Sequence, residues 1–308
     1  KMSLALSTSW NAFRHNSADG LLSEIKNLGF DTLELSFSLT PSLVCDIALY
    51  SDKNEFKVVS VHNFCPIPDG VKIEEALPDY YPMSSLDESQ RQQSLKYTKI
   101  TIDTAHRLNA KAVVLHCGRV DTPGRTKELV NLFNQGQRDT KEYNELKAGI
   151  LKERKRLYKP YLENTLRSLE ELSRYAEKKN IALGIENRFY IQEIPSFEEI
   201  GIILQEFKGS NIFYWHDTGH AQVMENLGLN KHKDYLDLFG NNLVGIHLHD
   251  CTATSDHQAP SQGEIDFAMF KPYIRKETLK VIEAHQPSTG EDLKKSKRFL
   301  EALFNGKL

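Results

Sequence analysis

Residues 214–220 have the sequence YWHDTGH, and the candidate chemistry of the chain centres on this stretch. The apolar run at 211–215 predicts a short buried strand, and the polar residues follow where the strand ends and a loop begins. Asp217 and His220 lie three residues apart around a glycine, so both side chains can turn toward one point. A carboxylate oxygen and a neutral imidazole nitrogen are suitable ligands for a divalent transition-metal ion. Taken alone, the stretch is equally compatible with a turn in which Asp217 caps a helix and His220 lies on the surface.

Length and composition restrict the classes of protein that remain. The 308 residues are 40% apolar, enough for one barrel-sized domain or two ordinary ones. A net charge of -3 gives no overall attraction to nucleic acid or to an anionic membrane, and no stretch approaches the roughly 20 apolar residues of a membrane span. We therefore expect a cytoplasmic protein without a membrane partner, and a nucleic-acid partner is disfavoured. The four cysteines form no C-x-x-C pair, which predicts reduced thiols.

Short apolar runs alternate with helical patterns along the whole chain. This alternation predicts a parallel sheet, and eight units in a chain of this length fit a closed barrel. No glycine-rich phosphate loop follows any strand, so we expect no nucleotide cofactor. The sequence predicts a single (β/α)8 TIM barrel over residues 1–308. The predicted strands are 4–7, 32–37, 57–63, 112–117, 181–185, 211–215, 243–248 and 279–282, and the main helices are 18–28, 87–109, 158–179, 196–207 and 291–304.

Residues 119–159 differ in charge from the rest of the chain. They contain 11 Lys or Arg residues against 6 Asp or Glu residues. We expect a helical, basic excursion between the fourth strand and a helix that begins near Tyr158. Two interpretations remain open, a solvated structural excursion and a lid over an anionic substrate.

Polar residues gather at the carboxyl ends of the predicted strands, where a TIM barrel carries its active site. They include seven of the eleven histidines. Residues two apart on a strand face the same way, so His247 and His249 would both point into the barrel mouth, one as a ligand and the other toward substrate or as a support. The candidates are Glu34, His62, His116, Glu186, Asp217, His220, His247, His249, Asp250, Asp256, His257, Glu283 and His285.

Five short motifs resemble the xylose-isomerase-like TIM barrel superfamily. They are IENR at 185–188, DTGH at 217–220, IHLHD at 246–250, GEIDF at 263–267 and IEA at 282–284. The resemblance covers nearly the whole chain, from Leu4 to Phe304. That superfamily includes sugar phosphate isomerases and epimerases, and also the endonuclease IV type of abasic-site nuclease.

The epimerase branch implies one divalent ion, zinc, manganese, cobalt or magnesium. Its ligands would be Glu186, Asp217, His247 and Glu283. The same resemblance implies that Arg188 and His220 contact oxygens of a small carbohydrate, and strand alternation adds His249 to these contacts. Two glutamates on different walls of a barrel can remove a proton beside a carbonyl and return it elsewhere through an enediolate. We therefore expect Glu186 and Glu283 to be catalytic, in a metal-dependent isomerase or epimerase acting on a sugar, sugar phosphate or polyol derivative; a homo-oligomer is compatible with the sequence.

The nuclease branch of the superfamily is the alternative. It implies a larger set of ligands that binds three zinc ions. The chain departs from that pattern at Ser255, which stands where an Asp is expected, and the neighbouring Asp256 would project differently. A zinc-dependent phosphodiesterase would also need a basic surface for DNA, which only residues 119–159 offer. A binding module without catalysis is a third possibility. The chain matches the nuclease ligands at His62, His116, Glu186, Asp217, His220, His247, His257 and Glu283, of which His62, His116, His220 and His257 would be additional metal or substrate contacts.

Overall fold

Eight parallel strands close into a barrel in a computed structural model that describes residues 3–306. Going round the barrel, the first strand neighbours the last and the second, so the sheet has no free edge. The predicted single (β/α)8 barrel is confirmed. The barrel strands are β1 Ala5–Ser7, β2 Thr32–Leu35, β3 Lys57–His62, β4 Ala112–Leu115, β5 Ala182–Glu186, β6 Ile212–Asp217, β7 Leu243–Leu248 and β10 Leu279–Ile282, while β8 Asp250–Thr252 and β9 Ser255–Gln258 form a separate antiparallel hairpin.

Helices follow the strands, and local signals fix where several of them begin. Thr40 accepts a hydrogen bond from the backbone of Leu43 with a proline at the first helical position, and Ser196 forms a capping box with Glu199. Short 3-10 turns occur at 8–10, 12–14, 73–75, 240–242 and 267–270. The helices are α1 Ala18–Asn27, α2 Pro41–Asp52, α3 Glu88–Arg107, α4 Thr126–Asn134, α5 Lys141–Glu177, α6 Phe197–Glu206, α7 Thr218–Asn226, α8 His232–Phe239 and α9 Gly290–Phe304.

The basic segment is built differently from the prediction. The helix expected to begin near Tyr158 begins at Lys141 and continues for 37 residues, through Pro160. Thr140 caps it, and the buried side chains of Tyr143 and Ile150 anchor its first half. Pro160 lies on the exposed side, where water can satisfy the carbonyl that loses its helical donor. The segment is thus α4 and half of α5 packed on the barrel, and its role as an anion lid stays a prediction.

The hairpin of β8 and β9 was missing from the predicted elements. Its residues are mostly polar, so they show no apolar alternation for a pattern to detect. Ala253 and His257 have positive φ angles of 56°, an unusual conformation for residues other than glycine. The hairpin follows β7 directly and therefore lies at the mouth of the barrel.

Trp215 fills the barrel interior beneath the candidate site. A Cβ atom on Gly245 would lie 2.1 Å from its ring, and one on Gly184 would lie 2.9 Å away, so the neighbouring strands need glycine here. The Trp215 ring centroid lies 5.0 Å from that of His247. Side chains alternate along β6, so Asp217 also faces the interior, one layer above Trp215.

Candidate metal centre

Four side chains predicted as metal ligands converge at the carboxyl end of the barrel. Glu186 ends β5, Asp217 ends β6, His247 lies on β7 and Glu283 directly follows β10. One ligand atom from each lies within 4.8 Å of the others, and all four residues are buried. Parallel strands bring their carboxyl ends to one rim of the barrel, which explains how residues so far apart in sequence meet.

His247 is oriented by a carboxylate on its far side. Its Nε2 lies 2.9 Å from Oε1 of Glu34, whose other oxygen accepts a hydrogen bond from Ser60 at 2.7 Å. The Nδ1 atom then faces Glu283 Oε2 at 3.0 Å and Glu186 Oε1 at 3.2 Å. Burial disfavours a charged His247, but the charges of Glu283 and Glu34 outweigh it and hold its pKa well above the usual range. The carboxylates of Glu34, Glu186 and Glu283 therefore make the surroundings of His247 strongly negative.

A second group surrounds the other oxygen of Glu186. His116 Nε2 lies 2.6 Å from Glu186 Oε2, and His62 Nε2 lies 3.6 Å from the same oxygen. His62 donates from Nδ1 to the carbonyl oxygen of Asn63 at 3.1 Å, so its Nε2 is free to accept or to bind a cation. Glu186 therefore links two sets of potential ligands.

Asp256 belongs to a third group, with His220 and His257, and this corrects the prediction that it would project differently. Its Oδ2 atom lies 3.1 Å from His257 Nδ1 and 3.6 Å from His220 Nε2. The positive φ of His257 breaks the alternation along β9, so adjacent side chains can face the same site. Ser255 is exposed. Asp256 thus supplies the carboxylate that Ser255 cannot.

The donor sets fit divalent metal ions. Each of these three groups combines imidazole nitrogen with carboxylate oxygen, the ligands that zinc and related ions prefer. The same holds for a fourth, overlapping group, which consists of Asp217, His249, His257 and Glu283. Among the described residues, the buried Oδ2 of Asp256 has no hydrogen-bond partner, although two imidazole rings flank it. A carboxylate oxygen in that position suits a cation.

His249 contacts Asp217 and the hairpin of β8 and β9. Its Nε2 lies 2.8 Å and 2.9 Å from the two oxygens of Asp217, and its Nδ1 accepts a hydrogen bond from the backbone of His257 at 2.8 Å. Both ring nitrogens are therefore engaged by protein groups. In this arrangement His249 supports Asp217, and a contact with substrate stays a prediction.

Arg188 lies against Glu186 and Glu193, and its predicted contact with substrate stays a prediction. Its Nη1 donates to Glu186 Oε2 and its Nη2 to Glu193 Oε1, both at 3.2 Å. Burial raises the pKa of Glu186, but neighbouring positive charge and hydrogen bonds outweigh it and hold that pKa well below normal. Burial and the charge of Arg188 lower the pKa of His116 to about 4, so His116 is neutral at pH 7. Arg188 is then the permanent charge that keeps Glu186 ionised.

His220 lies among Asn187, Arg188 and Asp256, and its predicted contact with a metal ion or substrate stays a prediction. Its Nδ1 lies 3.0 Å from the carbonyl oxygen of Asn187 and 3.3 Å from Nη1 of Arg188. Arginine cannot accept a hydrogen bond, so the Nδ1 hydrogen goes to the carbonyl and the Arg188 donor goes to Glu186. Nε2 of His220 is left facing Asp256.

The fold is a TIM barrel with a candidate metal centre, and sequence comparison identifies its family. Residues 22–303 match the family described as xylose isomerase-like TIM barrel, and the chain belongs to that family. No curated protein sequence matches the chain. Within residues 3–306, no helix is both long and apolar enough to cross a membrane.

Solved structures share this fold at low sequence identity. A D-tagatose 3-epimerase-like protein is 19% identical, with 99% of each chain covered and a TM-score of 0.66. The 3-keto-D-glucoside 4-epimerase YcjR from E. coli is 13% identical, with 98% of this chain and 100% of that chain covered and a TM-score of 0.69. A Thermus thermophilus protein soaked with zinc chloride is 20% identical, with 99% of each chain covered and a TM-score of 0.61. At these identities the similarity establishes the fold.

Proposed function

We propose that the protein is a metal-dependent isomerase or epimerase acting on a sugar, sugar phosphate or polyol derivative. The observation that carries this proposal is the convergence of two glutamates from different strands on one nitrogen of a shared histidine. His247 Nδ1 lies 3.0 Å from Glu283 and 3.2 Å from Glu186. The epimerases among the structural neighbours support the same class of reaction.

The four converging residues would hold the ion. Glu186, Asp217, His247 and Glu283 supply three carboxylates and one imidazole, and a divalent ion bound there would act as a Lewis acid toward oxygens beside the reacting carbon. Zinc, manganese, cobalt and magnesium all accept carboxylate ligands, and the imidazole favours the first three.

The glutamates would move the proton. Burial raises the pKa of Glu283, but the charge and hydrogen bond of His247 hold it well below normal, so Glu283 is ionised as a general base must be. Its contacts with His247 and His257 are made through Oε2, which leaves Oε1 for the proton on the carbon next to the carbonyl. Removing that proton gives an enediolate. Glu186, on the other side, would return a proton to the opposite face or to the adjacent carbon.

Arg188 and His220 would position the substrate. Arg188 contacts Glu186, and Nε2 of His220 faces Asp256 at the mouth of the barrel. Arg188 can donate to a hydroxyl oxygen of a carbohydrate next to the reacting carbon, and Nε2 of His220, which carries no hydrogen, can accept from a hydroxyl group. Arg188 also lines a cavity of about 400 Å³ between α5 and α6, which gives room for part of a substrate beside the centre.

A zinc-dependent phosphodiesterase resembling endonuclease IV is the second candidate, and the position of Asp256 favours it. Together with the group of His62, His116 and Glu186, the group of Asp256 gives the centre room for more than one ion. Clustered metal ions neutralise a phosphate and activate water in phosphodiester hydrolysis. The basic residues of 119–159 would then face the phosphate backbone.

The test combines metal analysis with two assays on the same preparation. Protein purified without chelator is analysed for metal, then incubated in deuterium oxide with D-tagatose, D-fructose, D-allulose and their phosphates. We expect about one ion per chain and an epimer or isomer carrying solvent deuterium at the reacting carbon, because proton transfer exchanges with solvent. Two or three zinc ions, no deuterium incorporation and incision of an abasic-site duplex would establish the second candidate instead.

A further inference from the structure

A series of hydrogen-bonded polar side chains lies behind β6, on the side away from the barrel interior. Tyr214, His216 and His232 are buried, whereas Gln222 and Asn226 are half-buried. His216 Nε2 lies 3.0 Å from His232 Nε2, and His232 Nδ1 lies 3.0 Å from Oε1 of Gln222. Gln222 donates to Asn226 at 3.0 Å. At the other end, Tyr214 lies 2.7 Å from Nδ1 of His216. None of these five side chains belongs to the metal centre.

Both ends of this hydrogen-bonded series lie beside residues that position the centre. Asn226 donates to the carbonyl oxygen of Ala253 at 2.6 Å and to Glu264 at 2.7 Å, and Glu264 also accepts the backbone N–H of Ala253 at 3.0 Å. Ala253 is the turn of the hairpin that carries Asp256 and His257. The series therefore ends on the backbone that places the third ligand group.

At the Tyr214 end of the series, Asn187 contacts Tyr214 and holds Asp217. Tyr214 lies 3.0 Å from Oδ1 of Asn187, and that oxygen accepts the backbone N–H of Asp217 at 2.7 Å. The amide nitrogen of Asn187 donates to the carbonyl oxygen of Asp217 at 3.0 Å. Asn187 thus clamps both backbone polar groups of a candidate metal ligand.

The direction of every hydrogen bond follows from the hairpin end. The carbonyl of Ala253 and the carboxylate of Glu264 only accept, so the amide nitrogen of Asn226 faces them and its oxygen faces Gln222. Gln222 must then donate with its nitrogen and accept with its oxygen. That oxygen requires a hydrogen on Nδ1 of His232.

The same accounting fixes both histidines. With its hydrogen on Nδ1, neutral His232 accepts at Nε2, so His216 must carry its hydrogen on Nε2. His216 Nδ1 then accepts the single hydroxyl hydrogen of Tyr214, so Tyr214 contacts Oδ1 of Asn187 without donating to it. The network therefore reaches Asp217 through His216, the residue that precedes it on β6.

We propose that His216, His232, Gln222 and Asn226 form a positioning network that holds Asp217 and the hairpin of β8 and β9 in one fixed arrangement, with His216 in the Nε2–H form and His232 in the Nδ1–H form. The proposal rests on the proposed function only in taking Asp217 as a metal ligand. Hydrogen-bonded partners behind metal ligands commonly set metal affinity by orienting those ligands. Breaking the hydrogen-bond network at His232 would therefore loosen both Asp217 and the hairpin of β8 and β9.

The experiment measures cobalt binding and histidine tautomers, which require no substrate. Chelator-treated protein is titrated with Co²⁺ alone, and the ring nitrogens of ¹⁵N-histidine-labelled protein are observed by NMR. We expect His232→Phe to weaken Co²⁺ binding about tenfold or more, and to remove the Nε2–H signature of His216. Tyr235→Phe is the matched control, because Tyr235 is buried in the same region, 6.4 Å from His216 between ring centroids, but lies outside the series. It should bind Co²⁺ like the natural protein.

Unchanged Co²⁺ affinity in His232→Phe, or the opposite tautomers in the natural protein, would overturn the proposal. If His232→Phe does not fold, Gln222→Met interrupts the same series at a half-buried position and is judged by the same criteria. Failure of the sugar assays would refute the proposed function without touching these results. Conversely, an active sugar epimerase with unchanged Co²⁺ affinity in His232→Phe would refute the network alone.

Discussion

Nε2 of His116 lies 2.6 Å from Oε2 of Glu186, so one oxygen of a proposed catalytic carboxylate already has a histidine neighbour. This contact separates the two candidate functions. If His116 donates a hydrogen bond, Glu186 has its other oxygen for a single ion. If His116 and His62 bind a second ion, Glu186 bridges two ions and cannot serve as a free base.

His116→Gln should therefore keep the metal content of the natural protein, because the amide can still donate to Glu186. We expect turnover of the ketose substrate to fall by about tenfold to a hundredfold, since the flexible amide orients the carboxylate less well than the imidazole does. Elemental analysis and the deuterium assay check both points. Loss of one ion per chain would support the multi-ion phosphodiesterase.

Glu283→Gln should abolish turnover while the barrel stays folded. The amide cannot accept a proton from carbon, and removal of a general base typically costs about 10²–10⁴-fold in rate. Glu291→Gln is the matched control, because Glu291 lies at the exposed start of α9 and pairs with Lys294. Full activity in Glu283→Gln, measured beside an unchanged circular dichroism spectrum, would refute the two-glutamate mechanism.

Glu34→Gln should weaken metal binding without direct contact to the ion. Glu34 accepts from Nε2 of His247, and loss of its charge makes the imidazole a poorer ligand. Changes of this kind typically cost about 10–100-fold in metal affinity. Ser60→Ala, which removes only the hydrogen bond on the other oxygen of Glu34, should have a smaller effect in the same Co²⁺ titration. Equal affinities for all three proteins would contradict the assigned role of Glu34.

Asp256→Asn should lower activity at least about tenfold, whereas Ser255→Ala should leave it nearly unchanged. Asp256 contacts His257 and lies near His220, while Ser255 is exposed. Activity at fixed metal concentration and metal content should be measured together. A larger effect of Ser255→Ala would show that the hairpin holds a different side chain toward the centre.

Glu24→Gln should destabilise the protein at neutral pH but less so in acid. Burial raises the pKa of Glu24, but hydrogen bonds from Arg14, His15 and Asn11 lower it to about 2, below its ordinary value of 4.5. A carboxylate with a depressed folded-state pKa adds stability above pH 4.5, and this stability is lost as pH falls toward 2. The side chain is about one-third exposed, so the loss at pH 7 should be about 1 kcal/mol in the free energy of unfolding.

Urea denaturation at pH 7 and at several lower pH values measures the effect of Glu24→Gln. The exposed Glu75 provides the control substitution, Glu75→Gln. A difference between the natural protein and Glu24→Gln that stays constant from pH 7 to pH 2.5 would contradict the ionic origin of the contribution.

The sequence by itself determined the barrel, and the family resemblance implied which four residues would bind a metal ion. Apolar runs and helix caps are local signals, and parallel strands that alternate with helices must end at a common rim. The strand ends alone gave a larger group of candidates, from which the resemblance singled out Glu186, Asp217, His247 and Glu283. The sequence did not predict the hairpin of β8 and β9, because its polar strands show no apolar alternation. It also did not predict the start of α5, because the helix continues through Pro160 without a clear periodic signal.

Only the tertiary structure decided which side chains orient those ligands. Glu34 meets His247 across 213 residues of sequence, a contact that depends on barrel closure and strand register. Asp256 faces the centre because of a positive φ at His257, which the residue type does not reveal. His249 turns to Asp217 because the same hairpin occupies its other ring nitrogen. Strands follow from local patterns, but side-chain direction at their ends depends on backbone angles and distant partners that only the folded chain brings together.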